Sequence, residues 1–298
     1  MGEEREDQIM GLLNCLSTAV VSYRLRALGH YVPAGAFASD LRGGLGKALH
    51  GSPHYQRLFE SSLPQDQSGL GDLKGGSGAP RGYVCRVRRG ATVAEGRYLA
   101  LEIVLFGPER SDVRAWTDAV FAMASHGLGE HHTPFALDAF QVGPLQTLAD
   151  KAQTRWDALA GTNDSAFLRV RARTPIRLYE GGEPTFATPG PLLGSILRRV
   201  DALARVHGTT PPDLFRRGLQ DHASTLTQRS DYREAWEWTT AWRFSHRQQR
   251  AAPLDGCVGH WEASVPRWLG LALLAAEVCH AGKGTVHGLG EIEIDAGR

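Results

Sequence analysis

An apolar helix, a Gly-Leu-Gly turn and a short strand close each half of this chain. Residues 120–142 hold the first copy, around Gly127-Leu128-Gly129. Residues 271–294 hold the second, around Gly288-Leu289-Gly290. An ending used twice asks for two units built alike. At roughly 100–200 residues per domain, a chain of 298 residues has room for two.

The first half reads as strand, helix, strand, strand, helix, strand. Residues 19–27 alternate, with Val21, Tyr23 and Leu25 on one side. A helix follows over 33–49, with Asp40 as N-cap and Leu41, Leu45, Ala48 and Leu49 as its apolar stripe. Strands are expected near 82–88 and 97–106. A helix over 111–125 packs through Val113, Trp116, Val120, Phe121 and Met123, and a strand runs over 134–142. That order is the ferredoxin-like arrangement. A short helix and linker occupy 147–164. The second half repeats the theme with a strand at 166–173 and helices at 191–206 and 211–228. Alternating Trp236, Trp238, Trp242 and Phe244 then make one strand of 234–244, and its partner is 257–264. A helix over 266–280 and a strand over 291–294 complete the half. The expected fold class is α+β, tandem ferredoxin-like, RRM-like units. The boundaries are 1–150, with a flexible Gly/Ser/Pro-rich loop at 61–80, and 165–298, with a glycine-rich loop at 282–290.

Composition narrows the function classes. With 42% hydrophobic and 22% charged residues, the chain is neither disordered nor fibrous. The net charge is +1, so the whole molecule does not advertise a polyanion partner. Removing the acidic start, MGEEREDQ, leaves about +4. All basic residues but Lys47, Lys74, Lys151 and Lys283 are arginine, which suits bidentate phosphate contacts and equally reflects a GC-rich genome. Cys15, Cys85, Cys257 and Cys279 are too scattered for a zinc knuckle, a redox pair or a disulfide framework. The longest apolar run, Trp268 to Val278, is too short to span a bilayer. The simplest expectation is a reduced, cytoplasmic protein with no membrane partner.

The stretch Gly282-Lys283-Gly284-Thr285-Val286-His287-Gly288-Leu289-Gly290 carries the most information. It is not a Walker A loop, because Gly284 rather than Ser or Thr follows Lys283. Nor is it a dinucleotide fingerprint, because it precedes a strand instead of opening a helix. One reading is that its glycines serve only positive φ and tight packing. Alternatively, its backbone N–H groups beside Lys283 form an anion-binding nest.

This loop resembles the C-terminal glycine-rich loop of the RAMP proteins of CRISPR systems, and most closely that of the pre-crRNA processing endoribonucleases, the sixth Cas family. Three other stretches agree. Arg243-Phe244-Ser245-His246-Arg247-Gln248 is similar to a family signature that precedes a Gly-x-x-Gly hairpin, here Gly256-Cys257-Val258-Gly259. Leu41-Arg42-Gly43-Gly44-Leu45-Gly46-Lys47-Ala48-Leu49, followed by Tyr55 and Leu58-Phe59-Glu60, is similar to the family's first helix. Thr174-Pro175-Ile176-Arg177-Leu178 is similar to the start of its second half. The resemblance spans about residues 20 to 295. It implies tandem RAMP domains that bind CRISPR repeat RNA and cut precursor crRNA with no cofactor and no metal.

Such cutting uses the 2′-OH as nucleophile and leaves a 2′,3′-cyclic phosphate and a 5′-OH. One group takes the 2′ proton, another protonates the departing 5′ oxygen, and a cation or amides hold charge on the phosphorane. Histidine suits both proton roles. In the family the catalytic histidine lies at or just after the first helix, which here points to His50 and His54, with Lys47 as the cation. Related sequences often carry Cys where His54 precedes Tyr55. Tyr55 and His30 are weaker candidates. The resemblance implies RNA contacts from Arg42, Arg243, Arg247, Arg250, Gly282, Lys283, Gly284, Thr285, His287 and Gly288. Arg86, Arg88 and Arg89 read better as a charged surface. Trp236, Trp238 and Trp242 read better as core than as stacking platforms. His131 and His132, beside Glu130, would point to opposite faces of a strand and so do not share an ion.

A second reading is a non-catalytic RAMP subunit that only binds crRNA, with other Cas effector subunits as its partners. A third is a globular protein unrelated to RNA, which would lack salt-sensitive RNA binding.

Overall fold

The computed structural model describes residues 2–33, 37–52, 54, 55, 59, 80–88, 92–129, 131–240, 242–245 and 250–297, with the backbone alone at 37–39, 88, 109, 242–245 and 250–253. A helix, α1 (Gly2–Asn14), leads into β1 (Ser17–Ala27). Then come α2 (Phe37–Leu49), β2 (Tyr83–Arg88), β3 (Tyr98–Phe106), α3 (Val113–His126) and β4 (Phe135–Val142). The antiparallel order β2-β3-β1-β4 puts the first and third strands at the centre, as a ferredoxin-like unit requires. Along β1 the side chains of Val21, Tyr23 and Leu25 are buried while Arg24 is exposed. Leu41 and Leu45 of α2 meet Trp116, Val120 and Met123 of α3 over that buried face. Gly44 lets the two helices touch: a Cβ there would stand 2.6 Å from Met123 Cγ.

A two-residue strand, β5 (Gln146–Thr147), pairs with the start of β1. It leads into α4 (Leu148–Ala160), which begins at a Thr147/Asp150 capping box. The second unit contains β6 (Ser165–Ala172), a hairpin of β7 (Leu178–Glu180) and β8 (Glu183–Thr185), α5 (Pro189–His207) and α6 (Arg216–Ser224). It continues through β9 (Arg233–Thr239), a second hairpin of β10 (Trp242–Ser245) and β11 (Arg250–Pro253), β12 (Gly256–Pro266), α7 (Arg267–Cys279) and β13 (Ile292–Ala296). Its main sheet runs β13-β6-β12-β9, again antiparallel and again with first and third strands central. The fold is therefore α+β with two ferredoxin-like sheets.

The two units share packing. Val84, Val104 and Phe106, on the other face of the first sheet, belong to the same apolar cluster as Ile196, Val200, Trp261 and Leu273. Ile9, Leu12 and Leu13 of α1 join that cluster too, and α1 packs on α7 and α4. Residues 268–276 of α7 are buried on all sides, as the apolar run required. Among the described residues no helix is long and apolar enough to cross a membrane.

Several local expectations are corrected. Asp40 is not the N-cap of α2 but lies in its first turn, where it accepts a hydrogen bond from the Tyr31 hydroxyl at 3.0 Å. Phe121 points away from the sheet and is 59% exposed. The helix expected over 211–228 shrinks to α6 and a 3-10 turn at Thr225–Gln228. The single strand over 234–244 is two, β9 in the main sheet and β10 in its own hairpin. Gly256 to Gly259 are not a hairpin turn but the start of β12, and Gly259 has φ +137 facing Ala235 of β9. His131 and His132 lie in the turn before β4 rather than in a strand. The loop expected at 61–80 lies outside the described residues except for Pro80.

Candidate nucleic-acid interface

Lys47 and His50 are exposed at the C-terminal end of α2, and the His50 amide donates to the Lys47 carbonyl at 3.3 Å. The His50 ring meets Tyr55 edge-on at 5.1 Å. Tyr55 stacks on Phe59 at 5.3 Å, Phe59 lies 5.9 Å from Tyr83, and Tyr83 lies 4.9 Å from Trp116. Edge-to-face and offset pairs at these separations are attractive. An exposed histidine is thus tied through a row of rings to the core. His54 faces Asp112 at the start of α3, with Nδ1 and Oδ2 3.7 Å apart. The pair is partly solvated and adds little stability; it fixes where the imidazole sits.

Arg42 was expected at RNA and turns inward instead. Its guanidinium lies over the Phe59 ring at 5.2 Å. Its charge acts on the buried Tyr83 hydroxyl and Cys85 thiol. Burial pushes the Cys85 thiol up to about 12 despite that charge, so it is an inert apolar residue.

The glycine-rich loop is built mainly on the stretch 174–178. Lys283 N donates to Arg177 O, Gly290 N to Pro175 O and Gly282 N to Ser195 Oγ. A 3-10 turn over Thr285–His287 is closed by His287 N on Gly284 O and capped by Gly288 N on Thr285 O. The amides of Gly282, Lys283, His287, Gly288, Leu289 and Gly290 thus have acceptors within the protein. Thr285 and Gly288 are buried, so they support the loop from within rather than face a ligand. Lys283 is exposed, with Nζ 4.5 Å over the Tyr179 ring. Arg177 shares that ring at 5.7 Å and pairs with Asp255 at 3.3 Å.

The loop is also anchored where α7 ends. Arg86, from β2 of the first unit, donates to the Glu277 carbonyl, and Arg199, from α5, donates to the Cys279 carbonyl at 2.6 Å. Cations belong at a helix C-terminus, where unsatisfied carbonyls carry negative charge. Arg86 is therefore an inter-unit clamp as well as a charged group beside Glu102. His280 follows with φ +61 and bonds through Nδ1 to Leu289 O at 3.1 Å. Burial, with Arg86 and Arg199 close by, drives its pKa well below the usual histidine value, so the ring is neutral.

The 3-10 turn of the loop packs against α2 and β2 of the first unit. The structure thus joins the helix bearing Lys47 and His50 to the loop bearing Lys283, though they lie at opposite ends of the sequence. It does not bring Arg243 and Arg250 to that junction by any described contact; both lie on the β10–β11 hairpin, opposite Ala252 and Ser245. Arg247 lies outside the described residues, as does Arg89. Among the described residues no group of three or more His, Cys, Asp or Glu is placed to hold a metal ion. Sequence reasoning missed Asp112, Tyr179 and Arg199. Arg177 was visible only as part of the stretch that supports the loop.

Two ferredoxin-like units thus meet at the glycine-rich loop. Residues 170–292 match the family model of the CRISPR-associated endoribonuclease Cas6, and residues 32–159 match a second model described as an N-terminal domain. The likeness to the Cas6 family thus lies in the second unit and covers about two fifths of the chain. Among solved structures, it resembles a Cas6 product complex at 16% identity and a TM-score of 0.55, covering 94% of this chain and 100% of that one. A second Cas6 product complex matches at 16% identity and 0.56, covering 93% and 98%. A partial Cas6-RT-Cas1–Cas2 complex matches at 11% identity and 0.62, covering 96% of this chain and 47% of that one. At such identities these likenesses establish the fold. No curated protein matches the chain.

Proposed function

We propose that this protein binds the repeat of a precursor CRISPR RNA and cleaves it at one phosphodiester without a metal. The observation that carries the reading is the junction just described: the α2 helix with Lys47 and His50 packs against the glycine-rich loop of the other unit. The Cas6 family match supports an endoribonuclease. The related complexes whose names record a product and a substrate mimic support repeat RNA as the ligand.

In this mechanism the 2′ oxygen attacks the adjacent phosphorus and the bond from phosphorus to the 5′ oxygen breaks. One histidine, His50 or His54, takes the 2′ proton. The other gives a proton to the departing 5′ oxygen. Lys47 supplies positive charge to the phosphorane, and Lys283 holds a flanking phosphate. The ends formed are a 2′,3′-cyclic phosphate and a 5′-OH.

The test is cleavage of the cognate repeat RNA by purified protein in excess EDTA, beside a substrate with one 2′-deoxy nucleotide at the cut. A single cut that the deoxy substitution abolishes is expected. Cleavage of the deoxy substrate would overturn the mechanism. Tight binding with no cut would assign the chain to the crRNA-binding subunits instead.

A further inference from the structure

We propose that Phe186 and Trp238 form a stacking site for one unpaired nucleobase of the bound RNA; the proposal rests on the RNA-binding reading above. Both rings are large and partly open to solvent, at 43% and 40% exposure. They touch in a T-shaped pair with centroids 6.4 Å apart. Their roots are rigid. Phe186 precedes Ala187, which is fully buried, and Trp238 sits on β9 opposite the fully buried Cys257. The expectation that Trp238 belongs to the core is thereby corrected, whereas Trp236 is partly packed against it.

The pair sits near the loop that carries Lys283. Cys257, opposite Trp238, bridges to Ile176. The residues flanking Ile176, Pro175 and Arg177, hold Gly290 and Lys283 through their carbonyls. From Trp238 to Ile176 is two strand spacings, roughly 10 Å. A strand of RNA with a phosphate at Lys283 can therefore lay a nearby base on these rings.

The surroundings favour a base over other occupants. The pair itself carries no cation for a phosphate; two rings in a T-shaped pair offer apolar surface to the flat face of a base. A second copy of the chain would need roughly 800 Å² of contact per partner, which two half-exposed rings do not offer. Every base has a π face, so stacking here adds affinity with little sequence preference.

The experiment is equilibrium binding of the cognate repeat RNA to wild type, Phe186→Ala, Trp238→Ala and Trp238→Phe, with thermal unfolding as the folding control. Each alanine variant should bind about tenfold more weakly. The slope of log affinity against log salt should not change, since stacking releases no counterions, and Trp238→Phe should recover most of the loss. In wild type, one abasic position in the RNA should weaken binding as much as Trp238→Ala does, with no further loss when the two are combined. Wild-type affinity in every variant would overturn the stacking site and leave the RNA reading standing. Failure of wild type itself to bind would overturn both. Loss of self-association with RNA affinity intact would identify the pair as a contact between copies and overturn the proposal.

Discussion

The two Gly-Leu-Gly turns do one local job and differ in what precedes them. In the first unit α3 runs straight into Gly127, and Leu128 plugs the core. In the second, Leu289 is likewise buried, but residues 280–287 intervene between the end of α7 and Gly288. That added segment carries the buried His280, the exposed Lys283 and the 3-10 turn that reaches the other unit. The shared turn belongs to the frame. What was added before the second copy joins the units.

The contrast can be broken in four ways, the largest effect first. His50→Ala removes the proposed proton-transfer group, just after the helix that the second turn's loop contacts. Single-turnover cleavage should fall by about 10²- to 10⁴-fold, while His131→Ala, in the first turn, leaves it within about twofold. Equal losses would remove any functional asymmetry between the turns.

Next is Gly290→Ala. Gly290 has φ +75, and a Cβ there would stand 1.7 Å from the Ala281 carbonyl oxygen. At Gly129, also in the left-handed region, the nearest oxygen is Val32 O at 2.7 Å. The Gly290 variant should lose about 3 kcal/mol or more and the Gly129 variant about 2 kcal/mol, from strain and clash. Urea unfolding midpoints compare them, and a costlier Gly129 variant would reverse the argument.

His280 gives the third. It is buried neutral next to Arg86, Arg199 and Cys279, with its pKa depressed below the unfolded value. Below pH about 6.5 the unfolded chain takes up a proton that the native one refuses, so stability falls as pH drops through that point. The slope is at most about 1.4 kcal/mol per pH unit. Thermal unfolding between pH 7 and 5 should show the fall, and His280→Asn should flatten it. A variant with the wild-type slope would place the titration elsewhere.

Lys283→Ala should have the smallest effect. Repeat affinity should drop a few-fold, with the salt slope reduced by about one. An unchanged slope would mean that Lys283 meets no phosphate.

How much of this was legible follows from the range of the forces involved. The alternation of Val21, Tyr23 and Leu25 and the helical spacing of Leu192, Leu193, Ile196 and Leu197 are local, and they located β1 and α5. The helix α1 was missed because its apolar residues, Ile9, Leu12 and Leu13, fall in its second half behind a charged first turn. Asp40 has the chemistry of a cap, but Tyr31 claims it by a contact between elements. Arg42 on an amphipathic helix reads as surface; only the ring of Phe59 explains its inward turn. Resemblance pointed to the α2 histidines and the loop separately. Their junction depends on how two sheets pack, which no spacing encodes. The carbonyls of Pro175 and Arg177 hold the amides of Gly290 and Lys283, pairings between distant stretches that the loop's composition does not encode.

The placement of α1 affects the order of assembly. During synthesis it emerges directly ahead of a central strand of the first sheet. The surface it covers, on α4 and α7, exists only after residues as late as 279 have emerged. A growing chain can complete the first sheet while Ile9, Leu12 and Leu13 are still without cover, open to chaperones or to a neighbouring nascent chain. A segment made before every strand described above is thus among the last to find its place.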